Sequence, residues 1–214
     1  MSTANHDRRN YSTYRARPRR RLIRRRRLRA LSALVLLGVA VVLLLPLANR
    51  AIEHFELPLQ YSSIIRQQAA AKRLDPALVA AVIYAETRFR PRTSPTGAEG
   101  LMQIEPATAR FLARRSGGYA FSLSDLGTPS VNIAYGTYYL RYLLNVYRGS
   151  EVLALAAYNG GETNVDNWLS AARAHHRRLT IDSIPLAQTR AYVGEVLSKQ
   201  RAYRSNYARQ LGYS

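Results

Sequence analysis

Between residues 77 and 89 apolar side chains recur at Val79, Val82 and Ile83, the i, i+3, i+4 spacing of one helical face. The next position of that face, i+7, is Glu86. Asp75 and Pro76 precede the run as N-cap and first helical residue, so the spacing predicts a helix over 76–89. Further helical patterns fall at 62–73, 106–115, 130–147, 151–158, 164–172 and 186–210. The 106–115 helix opens on Pro106 and stops at Gly117-Gly118. The 130–147 helix keeps Ile133, Thr137, Leu140, Leu144 and Tyr147 on one face; its Tyr135, Tyr138, Tyr139 and Tyr142 line either core or groove, with core packing the default. The Ala-rich 151–158 helix suits close packing at a buried centre and ends at Asn159-Gly160-Gly161. Trp168 is expected to anchor 164–172. Residues 61–214 show no sustained strand-type alternation, which predicts an all-α domain with little or no sheet.

A different pattern precedes this domain. Residues 30–48 are nineteen uncharged positions dominated by Leu, Val and Ala, close to the roughly 20 residues a helix needs to cross a bilayer. Core helices are seldom apolar on every face. A cleavable signal peptide has a shorter apolar region and a small-x-small site, which Pro46-Leu47-Ala48 fits poorly. The run therefore reads as an uncleaved membrane anchor. Residues 1–29 hold twelve arginines against one aspartate, which puts +11 of the formal net charge of +19 in front of the span. Positive charge beside a span stays cytoplasmic, so residues after Asn49 are expected outside. Read alone, the arginine block suits nucleic acid; abutting a span, it fits anionic headgroups better, and no nucleic-acid partner is expected. Residues 49–60 form a short connector, and 61–214 the outer domain. That domain is itself basic, which suits either an anionic polymer or plain solubility.

The chain has no cysteine, which excludes disulfides and thiol nucleophiles. His175 and His176 lie among arginines without metal-ligand spacing, so no metal or cofactor is expected. Glu86 remains as candidate chemistry. A carboxyl on a core-facing stripe loses water, which raises its pKa toward what a general acid needs near neutrality. The competing reading pairs it with Arg88, Arg90 or Arg92. A loop rich in Gly, Pro and Ser, 91–100, follows and can bring backbone close to a ligand.

The blocks Glu86-Thr87-Arg88-Phe89-Arg90-Pro91, Ser94 to Ala109 with Gly100-Leu101-Met102-Gln103-Ile104 inside it, Ala156 to Gly161, and Ile184-Pro185 followed by Thr189-Arg190-Ala191-Tyr192-Val193 occur in this order. Together they resemble the SLT-type catalytic domain of lytic transglycosylases, related in fold to goose-type lysozyme, over roughly Tyr61 to Tyr207. The chain departs from that pattern in four places. Thr87 replaces the usual serine after the glutamate. The stretch between Pro91 and Ser94 is one residue shorter. Glu162 follows Gly161 where Pro-Gly is common, and Gln188 stands in place of the glutamate of E-T-R.

The resemblance implies a lysozyme-like fold and a substrate, the peptidoglycan glycan strand. It implies cleavage of the bond after N-acetylmuramic acid without water, giving a 1,6-anhydro ring, with Glu86 as both acid and base. It further implies a groove lined by Ser94, Met102, Gln103, Tyr158, Asn159 and Tyr192. Among other acids Glu162 is the alternative carboxylate; Glu99 and Glu105 are weaker. A hydrolysing muramidase and a non-catalytic wall-binding scaffold are the competing functions.

Overall fold

In the computed structural model, residues 38–44, 57–117 and 120–213 are described. The chain divides into two units, Met1–Ile52 and Glu53–Ser214. Of the first, 38–44 is helical, with Val39, Val41, Val42, Leu43 and Leu44 exposed. The remainder of the 30–48 run and the arginine block lie outside the described residues. Among those described, no helix is long and apolar enough to cross a membrane.

The second unit is helical: α1 Ser62–Lys72, α2 Pro76–Thr87, α3 Pro106–Ser116, α4 Pro129–Val146, α5 Glu151–Gly160, α6 Glu162–Ala174, α7 Ala187–Asn206 and α8 Ala208–Leu211. Between α2 and α3 a two-residue antiparallel pair forms, β1 Arg92–Thr93 on β2 Glu99–Gly100, with Arg92 opposite Gly100. Sheet is as slight as the pattern predicts. Single 3₁₀ turns at Leu123–Gly127 and Ile181–Ser183 were not predicted; each is closed by a local capping box rather than by any apolar period.

The domain is built around α2. Every residue from Ala77 to Tyr84 is buried, and α7 is the neighbour it packs on most. The one-sided stripe is thus a correction: α2 is apolar all round because it runs through the centre. It also ends two residues earlier than predicted. Arg88 and Phe89 both turn left-handed, at φ 50° and 61°, and the Arg88 N–H bonds back to Tyr84. The predicted 186–210 helix breaks at Tyr207, whose φ of −125° interrupts it. Tyr203 and Tyr207 point inward and donate to the carbonyls of Pro58 and Leu57 at 2.6 and 2.7 Å. Leu57 and Pro58, assigned by pattern to the connector, are therefore anchored in the folded unit.

The start of α2 is fixed by Asp75, whose carboxylate accepts from the Ala77 N–H at 3.0 Å and from Gln200 at 2.8 Å, and pairs with Arg204 at 2.5 Å; the Tyr213 hydroxyl also donates to it. Burial would raise this carboxyl, but the hydrogen bonds from Tyr213, Gln200, Ala77 and Arg204 outweigh burial and hold it below its ordinary value. A depressed carboxyl contributes stability above its unfolded pKa and loses it as pH falls through the folded one. Asp75→Ala is expected to lower stability by about 1–2 kcal/mol near neutrality, with the gap to the parent narrowing below about pH 4. Denaturant melts across that range measure both.

Candidate active site

Glu86 lies in the last turn of α2, where the helix leaves the core. Thr87 beside it is buried, and its hydroxyl faces the carbonyls of Leu101 at 2.8 Å and Ile83 at 3.1 Å. The hydroxyl kept at this position ties the helix end to the next loop. Burial pushes the Glu86 carboxyl up to about 7, against smaller opposing effects of the Tyr192 hydroxyl and the Arg92 guanidinium. The arginine-pairing alternative does not hold. Arg92 donates to the backbone carbonyl of Glu86, at 3.0 Å, and not to its carboxylate. Among the described residues the ion pair is Arg204 with Asp75. Among the described residues, no second carboxylate acts on Glu86.

Two tyrosines from distant helices converge on this carboxyl. Tyr158 of α5 and Tyr192 of α7 are both raised well above the ordinary phenol value, by burial first and by the charge of Glu86 second. The Tyr158 hydroxyl donates to the Met102 carbonyl at 2.9 Å. The Tyr192 hydroxyl is buried and meets no acceptor in full hydrogen-bond geometry. It still lies close enough to Glu86 to favour its ionised form, as a nearby dipole rather than through a closed bond.

The loop 99–104 forms the facing wall. Asn132, buried on α4, accepts from the Met102 N–H at 2.8 Å and donates to the carbonyls of Glu99 and Leu126 at 2.9 and 3.0 Å. Met102 packs on Gly136, where an added Cβ would meet the Met102 Cβ and Cε at 2.8 Å. Gln103 sits at φ 48° and spends its amide N–H groups on the carbonyls of Arg92 and Gly100, at 2.7 and 2.9 Å. Its Oε1 is the polar group that remains.

Gln103 and Arg92 each line a separate cavity. One, of about 300 Å³, is lined by Gln103, Glu105, Thr108, Tyr139, Tyr158 and Asn159 among others. The other, of about 340 Å³, is lined by Glu86, Arg88, Arg90 and Arg92 among others. Volumes of this order suit saccharide-sized ligands. Asn159 accepts from the Thr189 hydroxyl at 2.9 Å, which holds its amide at the rim.

Of the sequence-derived residues, Tyr158 and Tyr192 lie near the Glu86 carboxyl; Gln103, Tyr158 and Asn159 line the first cavity, Glu86 lines the second, and Tyr192 lines neither. Met102 contributes its carbonyl, with its side chain fully buried. Ser94 lines neither cavity; its hydroxyl accepts from the Ala98 N–H at 2.9 Å and holds the β1–β2 turn. Glu162 also lines neither; at the start of α6 it accepts from the Tyr142 hydroxyl at 3.1 Å. Gln188 is exposed. Pattern reading missed Thr108, Thr189 and the role of Arg92, and assigned Tyr139 to the core by default. Tyr139 instead lines the first cavity, its ring 5.3 Å from that of Tyr158. The cluster of four tyrosines on one helix was the available signal.

A helical domain of the lysozyme-like class, with one poorly hydrated carboxyl at the end of its central helix, is what fold and site define. The family model for the transglycosylase SLT domain matches residues 63–181, and the chain belongs to that family. It is similar to the soluble lytic murein transglycosylase of Escherichia coli K12, 32% identical over 164 residues that make up 74% of this chain and 25% of that protein. Among solved structures, the 70 kDa soluble lytic transglycosylase of E. coli matches with a TM-score of 0.67 at 30% identity, over 74% of this chain and 26% of that one. The lytic transglycosylase Slt of Pseudomonas aeruginosa, solved as an inactive glutamate-to-glutamine mutant, matches with a TM-score of 0.66 at 32% identity, over 71% of this chain and 25% of that one. The chain thus aligns with about a quarter of the length of these relatives.

Proposed function

We propose that this chain is a peptidoglycan lytic transglycosylase that cleaves the β-1,4 bond between N-acetylmuramic acid and N-acetylglucosamine with Glu86 as its single acid and base. The observation that carries the reading is the Glu86 carboxyl at the end of the central helix, raised to about 7 by burial, with no second carboxylate among the described residues acting on it. Hydrolases that work by two carboxylates use the second to activate water or to form a covalent intermediate. With one, the nucleophile must come from elsewhere.

Protonated Glu86 gives its proton to the glycosidic oxygen. The bond from that oxygen to the muramic acid C1 breaks, and N-acetylglucosamine leaves with a free hydroxyl. The muramic acid 6-hydroxyl then attacks C1, and its proton passes to the Glu86 carboxylate. The product is a 1,6-anhydro ring, no water is consumed, and the enzyme is restored. The attacking hydroxyl belongs to the same sugar, so its effective concentration is high. The Tyr158 hydroxyl, engaged with the Met102 carbonyl, fixes the wall of the first cavity.

The uncharged run 30–48 behind an arginine-rich segment supports a membrane anchor with the catalytic domain on the extracytoplasmic side, where a murein substrate lies. The exposed apolar residues of helix 38–44 suit a lipid environment.

Mass spectrometry of digested cell wall tests the reaction. Products ending in 1,6-anhydro-muramic acid are expected; reducing-end muramic acid alone would make the chain a hydrolase. The pH profile tests the assignment of the acid. The reaction starts from protonated Glu86, so kcat/KM falls as pH rises through about 7. Tyr192→Phe removes a hydroxyl that favours the carboxylate, so Glu86 holds its proton to higher pH and the alkaline limb moves upward. An unmoved limb would place the controlling group elsewhere.

A further inference from the structure

The cavity holding Glu86 has an uncommon wall. Arg88, Arg90 and Arg92 all line it and all are exposed, with Pro91 between the last two. Among the described residues, none of the three is within 4.0 Å of a carboxylate, the ion pair there being Arg204 with Asp75. Arg92 is partly committed, through its bond to the Glu86 carbonyl. Arg88 lies over the Tyr84 ring, 5.6 Å from its centroid, which orients the guanidinium without neutralising it. Among the described residues, the side chain of Arg90 forms no hydrogen bond or ion pair. The backbone holds this arrangement against its own preference. Arg88 and Phe89 are consecutive non-glycine residues in the left-handed region, a conformation that persists where surrounding structure over-determines it and that concentrates at functional sites. Phe89 supplies that over-determination: it is 1% exposed, its ring 6.2 Å from that of Tyr203. The buried ring pins the turn and leaves the arginines on either side of it at the cavity.

We propose that Arg88 and Arg90, with Arg92 behind them, form a recognition site for a carboxylate carried by the muramic acid residue being cleaved. This rests on the reading of Glu86 as the acid and extends it to the substrate's charged substituent. The planar guanidinium fork matches a carboxylate with two parallel hydrogen bonds. A glycan strand offers such groups in two forms: the carboxylates of a stem peptide, or the free lactyl carboxylate of a strand stripped of peptide. The site selects strands that carry negative charge next to the scissile bond over neutral N-acetylglucosamine polymers. It also adds an electrostatic, salt-sensitive component to binding.

The experiment measures binding calorimetrically in the full chain carrying Glu86→Gln, so that ligands are not consumed. The ligands are a peptide-bearing muramyl oligosaccharide, its peptide-free counterpart with the lactyl carboxylate exposed, and a neutral N-acetylglucosamine oligomer of equal length. Adding Arg88→Gln and Arg90→Gln together is expected to weaken binding of one or both charged ligands by about 10-fold or more, about what is lost with a charge-assisted hydrogen-bonding partner, and to leave the neutral oligomer within about twofold. The double change should also flatten the salt dependence of the charged ligand, and Arg88→Lys with Arg90→Lys should restore part of the affinity. Whichever charged ligand responds identifies the source of the carboxylate. Equal weakening of all three ligands would mean a structural role for the arginines and overturn the proposal, as would unchanged binding of both charged ligands. Neither outcome touches the role of Glu86, which is read separately from turnover with and without Glu86→Gln alone.

Discussion

Glu86→Gln is expected to cut the proposed glycan cleavage by orders of magnitude while making the folded domain more stable at alkaline pH. Glutamine keeps the shape of the side chain but puts a neutral amide in place of the carboxyl, with no acidic proton to deliver and no carboxylate to receive one. Loss of a positioned acid or base lowers turnover by about 10²–10⁴-fold, and in the proposed reaction one group serves both steps, so the upper part of that range is expected. Stability moves the other way. The folded carboxyl is raised from 4.5 to about 7, so the fold favours the protonated form. Its contribution is complete below the unfolded pKa and is lost as pH rises from there through the folded value. Well above pH 7 the parent carries a buried carboxylate that costs about 3 kcal/mol relative to an exposed one. The variant carries none. Thermal melts near pH 8 should show Glu86→Gln the more stable by an amount of that order, with the difference vanishing near pH 4. A variant that was inactive and also less stable at pH 8 would indicate that Glu86 holds the fold together rather than straining it.

Much of the helical frame is legible in the chain because its signals are local. Asp75-Pro76, Pro106 and Gly117 mark real ends, and the apolar spacing around Val79 to Ile83 finds the helix that carries the acid. The same spacing misjudges that helix as one-sided, since periodicity cannot distinguish a half-buried helix from one enclosed by α7 and its neighbours. Boundaries fail where tertiary contacts override propensity. Arg88 and Phe89 adopt φ values that no local rule favours in residues of their type, and Tyr207 breaks a helix-compatible run as its hydroxyl reaches Leu57, 150 positions away in sequence. The site divides in the same way. Glu86 stands out on its own helix. Tyr158 and Tyr192 reach it from α5 and α7, and only the resemblance among ordered blocks connects them. The Asn132 bonds to Glu99 and Met102 span some thirty residues with no repeating pattern. Ser94 illustrates the reverse: a residue within a matching block serves its own turn instead of the groove.

Gly100→Ala is expected to cost more stability than any other single-methyl addition in the loop beside the acid. Gly100 stands at φ 76°, and a Cβ there would approach the Asn132 Cγ and the Leu126 carbonyl to 2.6 Å. Both belong to the clamp that holds the loop. Asn132 donates to Leu126 and Glu99 and accepts from Met102 within one buried amide. A methyl group forces that amide aside, leaving buried donors and acceptors unmet at about 1–3 kcal/mol each, on top of about 1–2 kcal/mol for a left-handed L-residue. The sum is about 3–5 kcal/mol, a large fraction of a domain's net stability. The proposed activity is expected to fall by the same route, because the Met102 carbonyl held by the clamp is the acceptor of the Tyr158 hydroxyl. Gly97 supplies the control. It has φ 86°, yet a Cβ there would meet only Pro106 Cγ, at 3.9 Å. Gly97→Ala therefore carries the backbone penalty alone, about 1–2 kcal/mol, with activity retained. Denaturant melts of the two variants separate the effects: equal losses at both positions would mean that left-handed backbone, and not the Asn132 clamp, sets the need for glycine at 100.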